Sequence, residues 1–275
     1  MIEVSSTLLS AVFVLAAMAV VAGVEAVIPL RARGVWNRQH LGPNLAMTLI
    51  TVASNILLAV PLVIVLFWLK ANGLGVLRLL ALPALPTAVL AVVLLDFATY
   101  VAHVAMHRVP TLWRFHRVHH AEPAVDVTTA LRQHPGETLI RYGFMAVGAI
   151  GLGVDPGTLA LYRTWSALNA LLEHANISLP TRLDRLLAFV VVSPNMHKVH
   201  HSRTEAFTNS NYGNIFSFFD RLLFSFTPAE YGRKIAYGLD GFDDPATQTT
   251  TGLLALPFSR ARASSRIALV TQQSA

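Results

Sequence analysis

Ten of the eleven histidines of this chain fall between residues 103 and 201, and only His40 lies outside. They arrive as HVAMH (His103, His107), HRVHH (His116, His119, His120), RQHP (His134), a single His174, and MHKVHH (His197, His200, His201). Any fold the chain adopts has to accommodate them. Packing alone does not select histidine, because a buried imidazole needs partners for both ring nitrogens. His103 and His107 are four apart and share one helix face, and each HxxHH triplet can aim two or three rings at one point. Neutral imidazole is a common ligand of zinc, copper, iron and nickel. Ten rings exceed the needs of one ion, since a structural zinc takes four ligands, so two metals sharing the set is the economical reading. One HxxxH pair is a weak signal, and a lone histidine on an apolar helix is usually a core or surface residue. Two triplets plus a pair in one short chain are much harder to dismiss.

The chain that carries them has a membrane protein's composition. Of its 275 residues 54% are hydrophobic and 13% charged, and the mean hydropathy is +0.53; soluble domains carry about 25% charged residues. Apolar runs at about 8–30, 45–69 and 79–104 are long enough to span a bilayer. A fourth, 139–172, is broken by GLGVDPG at 151–157, which reads as the turn of a hairpin. The first run is long and lacks a positive leader, which argues for a span rather than a signal peptide. Arg31, Arg33 and Arg38 follow it, so that loop is cytoplasmic by the positive-inside rule, and His40 is read as a solvated loop residue. Glu25 snorkels to the interface or faces another helix. Pro83 and Pro86 bend or restart the third run, which delivers Asp96, Tyr100, His103 and His107 to its cytoplasmic end. Arg108, Arg114, Arg117, Arg132 and Arg141 make the first histidine region basic, and the hairpin returns His174 to the same side. Residues 183–192 are too short to span and are read as an interfacial helix. Residues 228–260 form a cytoplasmic extension, and 264–275 a disordered tail.

The expected architecture is therefore all-α: a multi-pass integral membrane bundle of four to five spanning helices under a cytoplasmic, histidine-rich metal-binding cap, forming one domain over residues 1–263. There is no cysteine, which excludes disulfides, thiolate ligands, iron–sulfur clusters and Cys nucleophiles. The net charge of +6 sits largely in loops flanking the apolar runs, as orientation requires, so nucleic acid is not the expected partner.

A membrane site of histidines without obvious carboxylate ligands suits iron chemistry on an apolar substrate. Two ferrous ions can supply two electrons to dioxygen, and the remaining electrons come from outside, since no flavin or haem motif is visible. Two other classes compete. A zinc-dependent membrane hydrolase needs an acidic base beside its metal, as in HExxH, and that motif is absent. A metal transporter places its ligands near the bilayer midplane, whereas most of these lie in loops on one face.

The order HVAMH, HRVHH, MHKVHH resembles the three histidine boxes of the fatty acid hydroxylase / sterol desaturase superfamily. DFATYVAHVAMH, RQHPGE, EHANI, SPNMHKVHHS, NYGNIFSFFDRLLFSF and YGLDGFDDP resemble further segments of it, over roughly residues 90–258. The usual Trp-Asp-Arg-Leu-Phe-Gly-Thr stands here as FFDRLLFSF. The resemblance implies an oxygen-dependent di-iron oxidoreductase of the membrane, with zinc as a possible substitute metal. It would hydroxylate or desaturate a lipid, with electrons from cytochrome b5, ferredoxin or a reductase; hydroxylation is preferred. Carried across residue by residue, the metal ligands are His103, His107, His116, His119, His120, His134, His174, His197, His200 and His201, with no catalytic residue beyond the metal centre. Asp96, Asn176 and Asn211 are candidates to support the ligands from behind. Glu137 can cap a helix or pair with Arg132, and Glu173 lies beside His174 or at the surface.

Overall fold

In the computed structural model residues 2–32 and 35–259 are described. The tail from 264, residues 260–263 and Arg33 lie outside them. The described chain is mostly helical and forms no strand beyond isolated bridges.

Helix α1 (Ile2–Val27) and α2 (Val35–Ala71) are joined on the side of the molecule that carries the histidines. A single turn, α3 (Val76–Leu79), closes the opposite end. Helix α4 (Ala84–Arg108) then runs back to the histidine side. It starts immediately after Pro83, where a proline fits because the first helical N–H groups have no partner. Helix α5 (Pro110–His120) follows across one extended residue, Val109. A 3-10 segment at Val127–Leu131 leads into α6 (Pro135–Leu152), and α7 (Pro156–His174) returns antiparallel to it. Among the described residues three segments are long and apolar enough to cross a membrane: Leu8–Val27, Gln39–Leu79 and Ala84–Arg108.

The α6–α7 turn is where GLGVDPG predicts it. Gly153 ends α6 in the left-handed conformation (φ 66), and the Asp155 carboxylate accepts the Gly157 N–H to start α7. Gly75 and Gly153 meet backbone to backbone: a Cβ on Gly75 would fall on the Gly153 Cα, so neither position has room for a side chain. Lys70 Nζ donates to Asp155 Oδ2 across the same corner at 2.5 Å.

The main core lies among α2, α4, α6 and α7, with Leu66, Leu95, Ala149 and Leu159 fully enclosed. A second cluster packs Val14 and Met18 of α1 on Leu171, Val127 and Ala130. The outward faces of all five long helices are apolar: Leu9, Leu57, Leu85, Val147 and Leu161 are among the exposed residues. In water so much exposed hydrocarbon marks an interaction surface; in a bilayer it is the ordinary lipid-facing surface of helices whose backbone bonds are satisfied internally.

Beyond α7 the chain makes α8 (Thr181–Val190) and α9 (Pro194–His200). Helix α8 buries Asp184 and Ala188 and exposes Leu183, Leu186 and Phe189. Short turns at Glu205–Thr208 and Phe218–Leu222 and a final segment to Ser259 cover the histidine end.

His40 is not a solvated loop residue. It is buried, with Nδ1 2.9 Å from Glu122 Oε2 and Nε2 3.5 Å from Asp126 Oδ2. Glu25 is also fully buried: its Oε1 accepts the Val127 and Asn176 backbone N–H groups at 2.8 and 2.7 Å. Both carry polar groups needed inside the cap, which run-and-charge patterns cannot distinguish from interface residues.

Candidate metal centre

Four helix ends converge. The last two turns of α4 bring His103 and His107, α5 brings His116, His119 and His120, α7 ends on His174, and α9 brings His197 and His200, with His201 next. Pro194 and Ser193, whose Oγ accepts the Met196 N–H, set the start of α9.

Nine imidazoles form two groups. His103, His107, His116, His120 and His200 make one; His119, His174, His197 and His201 make the other. In each, one nitrogen per residue lies within 4.8 Å of all the rest. The triplets do not each aim at a single point. His116 and His120 are four apart and share a group, while His119 crosses to the second; His197 and His201 stay together while His200 crosses to the first. Both i+3 and i+4 neighbour residue i on a helix, but they are consecutive and point about 100° apart around its axis, so one can follow the ring at i while the other turns to the adjoining group. The groups adjoin, with the His119 and His201 ring centroids 4.6 Å apart.

Which nitrogen faces inward is decided from behind. His103 Nδ1–H donates to the Tyr212 carbonyl at 2.8 Å, and His200 Nδ1–H to the Ser210 carbonyl at 2.8 Å. His174 Nδ1–H donates to the Ala170 carbonyl at 2.7 Å, and His116 Nδ1–H to Glu137 Oε1 at 2.8 Å. Each of these rings therefore presents an unprotonated Nε2 to the interior. Yet the Nε2 atoms of His103 and His116 are 3.1 Å apart, and His174 Nε2 lies 3.0–3.1 Å from the Nε2 atoms of His119, His197 and His201. For His103 and His116, both held by their Nδ1–H groups, this sets lone pair against lone pair, which repels unless a cation lies between them. Burial, followed by the positive charge of neighbouring histidines, holds His116, His119, His120, His197 and His201 well below the usual imidazole range. Protonation is thus disfavoured and the rings stay in the neutral, ligating form. His119 Nδ1, His197 Nδ1, His200 Nε2 and His201 Nδ1 are buried with no hydrogen-bond partner. The donor set fits two metal ions.

His134 joins neither group. It caps α6: its Nδ1 accepts the Gly136 N–H at 2.9 Å and its Nε2–H donates to the Leu254 carbonyl at 3.3 Å, so both nitrogens are engaged. Asp96, Asn176 and Asn211 make no hydrogen bond to an imidazole among the described residues. Asp96 accepts from Asn214, Ile215, Phe216 and Tyr162. Asn176 clamps the backbone of Arg31 at both ends. Asn211, at φ 54, ties the Met196 and Thr227 backbones together.

Two carboxylates do lie against the grouped imidazoles. Glu137 touches His116 and also accepts from Arg141 Nε at 3.1 Å, while Arg132 pairs with Glu122 instead. Glu173 is buried, not at the surface, with Oε1 3.9 Å from both His174 Nδ1 and His197 Nε2. Glu137 sits in the first turn of α6, where an acidic residue is ordinary, so only three-dimensional packing reveals its partner.

A cavity of about 250 Å³ opens on His103, His119, His174, His197 and Glu173 and runs away from them between α1, α2, α6 and α7. Its walls combine apolar residues such as Val14 and Met145 with Thr51, Asn55, Arg141 and Arg163.

The sequence profile of the fatty acid hydroxylase family matches residues 88–225, half of the chain. The chain is 31% identical over 182 residues to an ornithine lipid hydroxylase of Rhizobium tropici, covering 65% of this chain and 52% of that protein. It is 26% identical to an alkylglycerol monooxygenase of Caenorhabditis elegans (59% of this chain, 32% of that one) and 33% identical to a cholesterol 25-hydroxylase-like protein of Danio rerio (47% and 51%). The chain thus spans about half the length, or less, of these relatives. No solved structure matches it.

Proposed function

The chain belongs to the fatty acid hydroxylase family, and on that premise we propose that it is a di-iron enzyme of the membrane that uses dioxygen to hydroxylate a lipid. The inward-facing, unprotonated Nε2 atoms of His103 and His116, 3.1 Å apart, carry the reading, since they need a cation between them. Two iron ions held by the nine grouped histidines would supply the electrons and Lewis acidity that activate dioxygen for insertion into a C–H bond. Iron is preferred to zinc because the named relatives are hydroxylases and monooxygenases, and zinc has no redox chemistry. Hydroxylation is preferred to desaturation on the same relatives.

The chain's own residues do the remaining work. Glu137 and the carbonyls of Tyr212, Ser210 and Ala170 hold four rings by their Nδ1–H groups. The cavity admits an acyl chain from the apolar belt and keeps water from the reacting carbon. Glu173 Oε1, at the cavity edge, can hold or release a proton there. We read the α6–α7 hairpin as adding two spans to the three apolar segments. Helices α1, α4 and α7 then run toward the histidines and α2 and α6 away, which leaves the centre on the cytoplasmic face, within one domain over residues 1–263. Electrons come from an external carrier such as cytochrome b5, ferredoxin or a reductase.

The test joins metal analysis of the purified chain to lipid profiling of cells with and without it. Iron, with an oxygen-dependent hydroxylated lipid that disappears in His119→Ala, is the expected result. The same product from His119→Ala sinks the mechanism.

A further inference from the structure

The far end of the cavity holds a cation that has no counter-ion among the described residues. Arg163 lies on α7 eleven residues before His174, about 16 Å along the axis, and it lines the cavity. Its guanidinium carries five N–H donors. Among the described residues it makes one hydrogen bond, to Asn55 Oδ1 at 3.3 Å, and lies over the Tyr142 ring at 5.3 Å. No acidic side chain of the described residues pairs with it. The other cavity arginine, Arg141, is neutralised by Glu137, and the one carboxylate in the wall, Glu173, stands at the histidine end. An ionised side chain within a span is costly and faces a partner or a cavity. Here it faces the cavity, so the partner is what enters.

We infer that Arg163 and Asn55 form the recognition site for the anionic end of a single-chain lipid, a carboxylate of the fatty-acid type, whose hydrocarbon extends from there toward the histidines. The proposal rests on the reading of this cavity as the substrate site. Guanidinium fits a carboxylate with two parallel N–H···O bonds, a geometry that an ammonium or amide does not reproduce. Asn55, held by its own Nδ2 to the Thr51 carbonyl at 3.0 Å, fixes the guanidinium in place. A cavity of about 250 Å³ suits one acyl chain rather than two. The distance from Arg163 to His174 then acts as a ruler: the carbon presented to the centre is set by how far it lies from the charged end.

The experiment measures binding of tritiated palmitate to the purified full chain in neutral detergent, at mildly alkaline pH so that the acid is ionised, with hexadecanol as competitor. Palmitate is expected to bind at least about tenfold more tightly than the alcohol of equal length, the scale of one charge-assisted pair. Arg163→Gln is expected to erase that preference and Arg163→Lys to keep part of it. Equal affinity of the wild-type chain for acid and alcohol overturns the proposal, and this comparison stands even if Arg163→Gln fails to fold. So does a preference that survives in Arg163→Gln. The metal reading fails separately: a chain that prefers palmitate yet yields no oxygen-dependent hydroxylated lipid in cells, where the electron carrier is present, sinks the di-iron assignment, and one that makes product in cells with no palmitate preference when purified sinks only the Arg163 site.

Discussion

Replacing Glu122 by leucine strands a buried charge, and the structure sets the size of the effect. Glu122 Oε2 accepts from Arg132 Nη1 at 2.8 Å and Asn44 Nδ2 at 2.9 Å, with His40 Nδ1 at 2.9 Å. Arg132 is fully buried, and its other donors reach the Val118 carbonyl, Asn44 Oδ1 and Gln248 Oε1 at 3.1, 2.9 and 2.7 Å. The network therefore ties α2, the end of α5, the 3-10 segment and the C-terminal cover, directly behind His119 and His120. Leu at 122 leaves the guanidinium without its counter-ion, and breaking a buried pair in this way costs about 3–5 kcal/mol. Adding Arg132→Met removes the stranded charge and is expected to recover most of that loss. Equilibrium unfolding in mixed micelles, followed by helicity and by metal release, measures both. A single variant that costs less than about 1 kcal/mol, or a double variant that costs the sum of the two singles, refutes the reasoning.

The same carboxylate gives a pH signature. Burial alone would raise it, but Arg132, His40 and Asn44 outweigh burial and hold Glu122 at about 2, below the ordinary 4.5. Because the folded value is depressed, its contribution is complete above about pH 4.5 and is lost as pH falls toward 2, amounting to about 3 kcal/mol. Glu122→Gln is expected to flatten that part of the stability profile.

Three further outcomes are expected. Glu137→Leu frees His116 Nδ1 and should weaken metal binding at the five-histidine group about 10- to 100-fold, read by competition with a chelator; unchanged affinity would remove Glu137 from the site. His134→Ala should leave the metal content of the chain unaltered while costing about 1 kcal/mol as a lost helix cap, whereas His200→Ala should lower the metal content. Because the chain has no cysteine, single cysteines at the exposed Asn72 and Glu205 can be labelled with an impermeant maleimide. They should react from opposite faces of the membrane, Glu205→Cys from the cytoplasmic one, and reaction from a common face would break the five-span topology.

How far the site was legible in the sequence depends on the range of the interaction. Residues four apart on one helix had to share a face, so His103 with His107, His116 with His120 and His197 with His201 follow from spacing. Spacing also predicts the hairpin, because Gly153 and Pro156 can end and restart helices wherever they stand. It is silent on which group His119 and His200 join, since that depends on how α5 and α9 cross. His134 matched its neighbours in type but not in place, because a histidine just before a proline at a helix start is also a good cap. Arg163 was overlooked because one arginine in an apolar run reads as noise until the helices around it enclose a cavity.

The loop from Ser210 to Phe216 has no metal-ligand side chain, yet the orientation of two rings depends on it. Its carbonyls at 210 and 212 receive the Nδ1–H groups of His200 and His103, so it must be stiffer than an ordinary loop. Asp220 accepts the Tyr212 and Gly213 N–H groups at 2.7 and 2.9 Å, Asp96 accepts those of Ile215 and Phe216, and Asn211 bolts its start to α9. Gly213 is required because a Cβ there would strike Val192 and Asp220. Asp96 thus acts two steps from the metal ligands, through the backbone rather than on an imidazole. If so, Asp96→Asn, which can turn a donor toward those N–H groups, should loosen His103 and lower metal affinity at the five-histidine group while leaving the four-histidine group occupied. Loss of both metals together would mean that Asp96 supports the bundle as a whole and that the loop is not the element aiming the rings.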